Sequence, residues 1–289
     1  MKFFADTASI EEIEYCFSKG VNDGITTNPK IIEATGDLSE GFESACKSLL
    51  TRYPDVPVSL ETDLRGINIE EVSSKPEEVR NVLLNQAYEL ASWGGNVVVK
   101  IPCCEGGILA TRVLSERGIK TNYTACMTPY QALQAAEAGA AYVSLFANRM
   151  LDSHILKLAG YSLEEILQDP KWKDIAKENS GRHGNKAWEL TLNEIAYVAQ
   201  KLELSKSALI VGSIRAPEDI HKIVQAEPQV ITIPYGIVKK LEEIDLLKTS
   251  RRSLKAEEVC VGASLHHPMT QYTLNEFETA ADSYRQKKK

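Results

Sequence analysis

Eight short apolar runs, each followed by a stretch of helical character, most constrain how this chain of 289 residues can fold. Their β-branched and aromatic residues predict strands, while the stretches between them carry helix signals, such as Ser9 and Glu12 at capping-box spacing and Gly20 at the stop. Eight strands alternating with helices within this length predict an α/β protein, a single (β/α)8 TIM barrel over residues 1–289. The predicted strands are residues 2–5, 24–26, 56–61, 96–102, 120–124, 142–146, 208–213 and 229–234.

Two segments exceed a minimal barrel. Residues 151–185 form a helical insertion after the sixth strand, which reads as short helices polar enough to cover the mouth of the barrel. Residues 250–289 form a C-terminal extension, in which Tyr272, Leu274, Phe277 and Ala280 fall near one face of a predicted helix. That helix is able to dock on its own barrel or on a neighbouring subunit.

Charge and composition exclude several classes of protein. The net charge is −7 and the one Lys/Arg block is the terminal 287–289 triplet, so nucleic acid is not an expected partner. No run reaches about 18 uninterrupted apolar residues, and the N-terminus lacks a secretory apolar stretch, so no membrane partner is expected. Six cysteines without a Cys-x-x-Cys pair indicate a reducing, cytoplasmic setting. The histidines show no metal-ligand spacing with strand-end carboxylates, which disfavours a metal-dependent hydrolase.

The fourth predicted strand ends in a lysine, Lys100, within the run VVVKIP. Strand alternation puts Lys100 on the face opposite Val99 and Ile101. A lysine facing the helix layer would bury its charge at a cost of several kcal/mol. Facing the barrel axis at the C-terminal end, it would lie where barrel enzymes carry their chemistry, and desolvation there favours a neutral amine able to form a Schiff base. Strand position alone leaves equally open a lysine that snorkels to the rim or pairs with a structural carboxylate.

Polar side chains gather at the ends of the other predicted strands. Each alone has a structural explanation: Asp6 could cap the first helix, Asn28 could form a turn with Pro29, and Ser144 could bond to backbone. Together at one end of one barrel they favour an active site. The set comprises Asp6, Asn28, Glu61, Asn122, Thr124, Ser144, Arg149, Ser213 and Arg215.

Five ordered motifs resemble the transaldolase family: FADTAS, GITTNPKII, VVVKIP, GIKTNYTACMTPYQALQAAEAGAAYVSLFANR and VGSIR. The resemblance spans roughly residues 1–150 and 205–245, and implies a class I aldolase barrel that uses neither a metal nor an organic cofactor. It implies that Lys100 forms the Schiff base, that Asp6 is the general acid/base, and that Glu61 and Thr124 position a catalytic water.

The resemblance also implies how substrate is bound. The residues it assigns to the carbon chain of the substrate are Asn28, Asn122, Ser144 and Phe146, and those it assigns to the phosphate are Arg149, Ser213 and Arg215. Sugar phosphates are the implied partners, and a homo-oligomer is the implied assembly.

Two branches of the family differ at two of these positions. Transaldolases pass a dihydroxyacetone unit from sedoheptulose 7-phosphate or fructose 6-phosphate to glyceraldehyde 3-phosphate or erythrose 4-phosphate, in the pentose phosphate pathway. Fructose-6-phosphate aldolases release that unit, and carry Gln and Tyr where this chain has Glu61 and Phe146. A phenyl ring cannot relay a proton, so both positions favour the transferase.

Departures from the family pattern lie around the mouth of the barrel. Leu145 replaces a proline, and Asn148 replaces the usual glycine before Arg149. They bear on acceptor choice more than on imine chemistry. The alternatives are therefore a fructose-6-phosphate aldolase, a specialised transaldolase with an acceptor outside central sugar metabolism, and, more remotely, a non-catalytic barrel that binds sugar phosphates.

Overall fold

The centre of the protein is a closed barrel of eight parallel strands, in a computed structural model that describes residues 1–39, 41–241, 259 and 261–286. Strand β1 pairs with β8 and completes the ring. The predicted (β/α)8 barrel is confirmed, and every strand lies within two residues of its predicted bounds. The strands are β1 (Lys2–Asp6), β2 (Gly24–Thr26), β3 (Val58–Glu61), β4 (Val97–Pro102), β5 (Thr121–Cys126), β6 (Tyr142–Phe146), β7 (Ala208–Gly212) and β8 (Val230–Pro234).

Helices cover the outside of the barrel. The Ser9 hydroxyl accepts a hydrogen bond from the Glu12 amide at the start of α1, and Gly20 follows the helix end at φ +82°, as the sequence predicts. The helices are α1 (Ile10–Ser18), α2 (Pro29–Thr35), α3 (Phe42–Arg52), α4 (Pro76–Ser92), α5 (Glu105–Glu116), α6 (Pro129–Glu137), α7 (Ala147–Leu158), α8 (Leu163–Ile166), α9 (Trp172–Lys201), α10 (Pro217–Ile223), α11 (Tyr235–Val238) and α12 (Pro268–Gln286), with 3-10 turns at Ile69–Glu71 and Val224–Ala226. None of these described helices is both long and apolar enough to cross a membrane.

Strand alternation divides the barrel side chains into two sets. Residues such as Val99 and Ile101 point outward and are fully buried in the core between sheet and helices. Inside the barrel, Phe4 packs in a separate cluster with Ile210 and Val230. The Phe4 ring requires a glycine opposite it, because a Cβ on Gly24 would lie 2.7 Å from the ring. This apolar layer closes the N-terminal half of the barrel and leaves the C-terminal half to polar residues.

The segment at 151–185 consists of the later turns of α7, the short α8 and the first part of α9. Helix α9 is continuous over 30 residues, where the sequence predicted short helices. Its first residue, Trp172, is buried edge-to-face against Tyr272 of α12, with ring centroids 5.2 Å apart. The start of the long helix therefore contributes to the region around the C-terminal helix.

The predicted C-terminal helix is present as α12, although residues 242–258 of the chain lie outside the described part. In this structure α12 docks on its own barrel, beside α2 and β5. Leu274, Phe277 and Ala280, predicted to share a face, are all buried, and Tyr272 is half-buried. Helix α12 lies at the C-terminal mouth of the barrel.

Candidate active site

Lys100 faces the barrel axis. It lies in register with Glu61 on β3 and with Asn122 on β5, and residues paired in this way point to the same side of a sheet. Its Nζ donates a hydrogen bond to the Thr27 carbonyl at 2.8 Å and forms a buried ion pair with Oε2 of Glu61 at 2.9 Å. Of the readings left open by the sequence, the rim lysine is excluded. The lysine pairs with a carboxylate, and that carboxylate is itself a candidate site residue.

Asp6 lies at the end of β1, at the same C-terminal end of the barrel as Lys100. Its Oδ1 accepts a hydrogen bond from Thr26 at 2.7 Å, and Thr26 is in turn in contact with the hydroxyl of Thr232. Ser9, not Asp6, caps the first helix. Desolvation raises the pKa of Asp6 above its ordinary value, against the lowering effects of the Thr26 hydrogen bond and the Lys100 charge.

Glu61 also holds its proton more tightly than a free carboxyl. Burial raises its pKa, Lys100 acts against the rise, and the nearby charges of Asp6 and Glu278 reinforce it. The amine of Lys100 is thus associated with two carboxyls of raised proton affinity. Such a group can pass a proton between nitrogen and oxygen without bulk water.

Asn122 and Ser144 form a buried polar network beside Lys100. The Ser144 hydroxyl donates to Oδ1 of Asn122 at 2.7 Å, and the Asn122 amide donates to Oγ of Ser59 at 3.3 Å. Ser144 bonds to a side chain rather than to backbone, so its structural explanation does not hold. The network fixes the orientation of the Asn122 amide at the cavity wall.

A cavity of 170 Å³ joins most of the candidate residues. Helix α12 supplies part of its wall through Thr273 and Phe277, and Phe277 packs on Phe146 with ring centroids 6.3 Å apart. The predicted residues that line the cavity are Asp6, Asn28, Lys100, Asn122, Thr124, Ser144, Phe146, Arg149 and Ser213.

Asn28 has a structural role as well as a place at the cavity. Its Oδ1 accepts a hydrogen bond from the Ile31 amide at 2.9 Å and so caps the start of α2. The structural role of Asn28 is this helix cap, where the sequence suggested a turn with Pro29. Because this hydrogen bond fixes the side chain, the side-chain amide of Asn28 has one orientation at the cavity wall.

Glu61 and Thr124, predicted as a pair, line different spaces. Glu61 borders a second cavity of 130 Å³, together with Asp63 and Trp93, while Thr124 borders the cavity that holds Lys100. Among the described residues the buried Oγ1 of Thr124 has no hydrogen-bond partner. The Lys100–Glu61 pair thus separates two cavities.

The two arginines predicted for phosphate have different environments. Arg149 lines the cavity and forms an ion pair with Glu276 of α12. Arg215 is turned to Asp152 in a bidentate pair, with N–O distances of 2.9 and 2.5 Å, and does not line the cavity. The structure therefore brings Arg149 and Ser213 to the site but leaves Arg215 outside it.

Asn148 explains how the loop after β7 is held. Its amide donates to the Ser213 carbonyl at 2.7 Å and to Oδ2 of Asp219 at 2.8 Å. Asp219 also accepts from the backbone amides of Arg215 and Ala216. Ser213 has φ +62°, a strained conformation for a residue other than glycine, and such strain persists where the surroundings over-determine it.

Sequence reasoning missed several residues at this site. Thr26 and Thr232 could have been found, because strand alternation places them on the same face as Asp6 and Lys100. Glu276 and Phe277 had no such signal as site residues, since the position of α12 over the mouth depends on tertiary docking. No group of three or more His, Cys, Asp and Glu side chains able to hold a metal ion occurs in the described part of the chain.

A closed parallel barrel with a buried, carboxylate-paired lysine at its C-terminal end defines the class as a (β/α)8 barrel with a candidate active site at that end. The family model described as Transaldolase/Fructose-6-phosphate aldolase matches residues 3–287. The chain belongs to this family, so the resemblance seen in its motifs is confirmed.

Curated relatives agree with the family model. A probable transaldolase of Maridesulfovibrio salexigens is 40% identical over 242 residues, which cover 83% of this chain and 90% of that protein. One of Thermodesulfovibrio yellowstonii is 35% identical over 244 residues, with 83% and 90% covered. One of Anaeromyxobacter sp. (strain K) is 29% identical over 265 residues, with 89% and 96% covered. A solved structure of a cube-shaped protein cage, designed by fusing symmetric oligomeric domains, aligns with 100% of this chain and 74% of its own at a TM-score of 0.44 and 13% identity, too low to bear on function.

Proposed function

We propose that the protein is a transaldolase that transfers a dihydroxyacetone unit, held on Lys100 as an imine, from a ketose phosphate to an aldose phosphate. The observation that carries the proposal is the buried pair of Lys100 and Glu61, with Nζ 2.9 Å from Oε2, at the wall of a polar cavity. Transfer of the ammonium proton to Glu61 gives the neutral amine that attacks the ketone carbon. The carbonyl oxygen then leaves as water and a C=N bond takes its place.

Cleavage of the carbon–carbon bond needs a base for the hydroxyl proton. Asp6 lines the same cavity as the amine and is held by Thr26, which suits it to take that proton as the bond breaks. The bonding electrons pass into the iminium to give an enamine, and the aldose phosphate leaves. With an acceptor aldehyde the same steps run in reverse.

The remaining residues bind and orient the substrate. The amides of Asn28 and Asn122 and the hydroxyl of Ser144 are available at the cavity wall for the hydroxyl groups of the sugar. Arg149 and Ser213 also line the cavity and bind the phosphate, Arg149 by charge-assisted hydrogen bonds. For Arg215 to join them, its guanidinium has to leave Asp152.

Two positions favour transfer over simple aldol cleavage. Glu61 is an ionisable partner of Lys100. Phe146 has no hydroxyl that could relay a proton, and it packs on Phe277 of α12. A fructose-6-phosphate aldolase is the second candidate, and a specialised acceptor is a variant of the first. Action in the pentose phosphate pathway, a homo-oligomeric assembly and a cytoplasmic location belong to the proposal on the ground of family resemblance.

Borohydride trapping tests the proposal. The wild-type protein and Lys100→Ala are incubated with fructose 6-phosphate and borohydride, and their intact masses are measured by mass spectrometry. A reduced adduct is expected on the wild type only. An adduct on both proteins, or on neither, contradicts the role of Lys100. Erythrose 4-phosphate should then give sedoheptulose 7-phosphate, whereas steady release of dihydroxyacetone would assign the protein to the aldolase branch.

A further inference from the structure

Glu276 of α12 is surrounded by three cations from three different helices. Its Oε1 lies 3.2 Å from Nζ of Lys30 on α2 and 3.3 Å from Nζ of Lys173 on α9, and Oε2 pairs with Arg149 on α7. A single carboxylate among three positively charged side chains, from helices distant in sequence, is placed like an anion held in a binding site.

Arg149 is the cation of this group that also lines the cavity. Its side chain is only 13% exposed, and the rings of Trp172 and Tyr272 flank the guanidinium at 5.6 and 5.4 Å. Within the described part of the chain its buried Nη1 has no hydrogen-bond partner. A guanidinium has five N–H donors, and a single carboxylate does not satisfy those that Arg149 presents.

The charge of the group favours an anion of higher valence. Burial acts to raise the pKa of Glu276, but the charges of Arg149, Lys30 and Lys173 outweigh it and hold the pKa below its ordinary value. Glu276 is therefore a carboxylate at neutral pH, and the four side chains together carry two net positive charges. Once Glu276 is displaced, the three cations carry three positive charges, which a phosphate dianion offsets further than a single carboxylate does, and the phosphate brings three acceptor oxygens against two.

We propose that Glu276 is a specificity-determining residue: its carboxylate occupies the anion position of the Lys30–Arg149–Lys173 group, and a substrate phosphate has to displace it in order to bind. The inference rests on the proposed function in one respect, that Arg149 binds the substrate phosphate. Glu276 then sets how strongly the site prefers phosphorylated sugars over neutral ones, because a neutral sugar does not compete for this position.

The test measures binding of inorganic phosphate by titration calorimetry, which does not depend on turnover. Glu276→Gln keeps the shape of the side chain and removes its charge, and should tighten phosphate binding about tenfold. Lys173→Gln removes one of the cations and should weaken it about threefold. The matched control is Asp282→Asn, the same charge change at an exposed position about 9 Å further along α12, which should leave binding within about a factor of two.

Opposite signs for the two variants are the signature of competition. Unchanged or weaker phosphate binding by Glu276→Gln would overturn the proposal, because Glu276 would then hold Arg149 in place instead of competing for it. If Asp282→Asn tightened phosphate binding as much as Glu276→Gln, the effect would come from overall charge alone. That result would also overturn the proposal. If Glu276→Gln does not fold, Glu276→Asp decides: it draws the carboxylate back from the cations and must tighten phosphate binding, while Lys173→Gln weakens it.

Kinetics separate this inference from the proposed function. With fructose 6-phosphate as donor, Glu276→Gln should lower KM several-fold, while the KM for unphosphorylated fructose stays at the wild-type value. Equal changes for both sugars contradict the inference but leave the transaldolase activity intact. Absence of turnover in the wild type would contradict the proposed function, and the calorimetry would still report on Glu276.

Discussion

Nζ of Lys100 and Oε2 of Glu61 lie 2.9 Å apart on paired positions of neighbouring strands, with side chains only 5% and 3% exposed. A buried ion pair is costly to desolvate and is weak support for stability. Replacing both partners by apolar residues is often neutral for stability, so the pair has to be explained by chemistry. The proposed proton transfer between the amine and the carboxylate would supply that explanation.

Glu61→Gln should slow imine formation about 100-fold, because the glutamine amide cannot accept the ammonium proton. The hydrogen bond from Lys100 to the Thr27 carbonyl remains and keeps the amine in place. Single-turnover borohydride trapping measures the rate, and Asp63→Asn, a neighbour of Glu61 on the second cavity, is the matched control. Trapping at the wild-type rate would remove Glu61 from the proton path.

Asp6→Asn should abolish turnover and raise the stability of the fold. The folded-state pKa of Asp6 lies above its unfolded value, so the folded protein binds more protons between the two values and stability falls as pH rises through that window. At neutral pH the charged Asp6 therefore lowers the free energy of unfolding. Asparagine should raise that free energy by about 1 kcal/mol, or Tm by roughly 3 °C.

Calorimetric scans of Asp6→Asn and wild type at several pH values check this expectation. The difference in Tm should be smallest at acidic pH, where Asp6 is protonated, and should grow as pH rises. A difference that shrinks with rising pH would mean that the carboxylate stabilises the fold. Turnover of the wild type should decline on the acid side through an apparent pKa above the ordinary carboxyl range.

Asn148→Ala should destabilise the protein by about 1–3 kcal/mol, because it removes donors from the Ser213 carbonyl and from Asp219. Since Ser213 lines the cavity, KM for a phosphorylated donor should rise more than kcat falls. Asn179→Ala, which removes a single bond to the Ile175 carbonyl on α9, is the control. Equal losses in both variants would show that the loop after β7 does not depend on Asn148.

Phe277→Ala should cost about 3 kcal/mol of stability, because the ring is 8% exposed and packs on Phe146 at the roof of the cavity. Phe277→Leu keeps most of the volume and should cost less than about 1.5 kcal/mol. Denaturant unfolding, with equal m-values, measures both. If the alanine variant is as stable as the wild type, α12 does not hold the cavity closed through this contact.

The barrel and its interior could be predicted from the sequence because they follow from local periodicity. Alternation along β4 puts Lys100 on the opposite face from Val99. Because Val99 points outward into the apolar core, Lys100 has to face the barrel axis. Ser144 was predicted at the site from its place on the sixth predicted strand, and Asp6 because it directly follows the first. Asn28 was predicted at the site because it follows the second predicted strand, whereas its cap on α2 was not predicted, since the sequence suggested a turn with Pro29.

The partners of the two arginines could not be predicted. Arg215 reaches Asp152 on α7, and Arg149 reaches Glu276, across 127 positions of the chain. The pairing of a long side chain depends on which helix docks nearby, and helix docking leaves no periodic signal. The long helix α9 was missed for a related reason, because its polar and glycine-containing first half has no apolar stripe.

The sequence by itself determined the eight-fold order of strands and helices, the identity of the lysine and its ring of polar neighbours, and the family. These depend on the alternation of side chains along single strands and on motifs that are contiguous in the chain. Only the tertiary structure decided that α12 forms part of the cavity wall, that Glu276 lies among the cations that include Arg149, and that Arg215 pairs with Asp152. Those relationships arise from the packing of distant helices, where geometry in three dimensions, and no local pattern, brings opposite charges together.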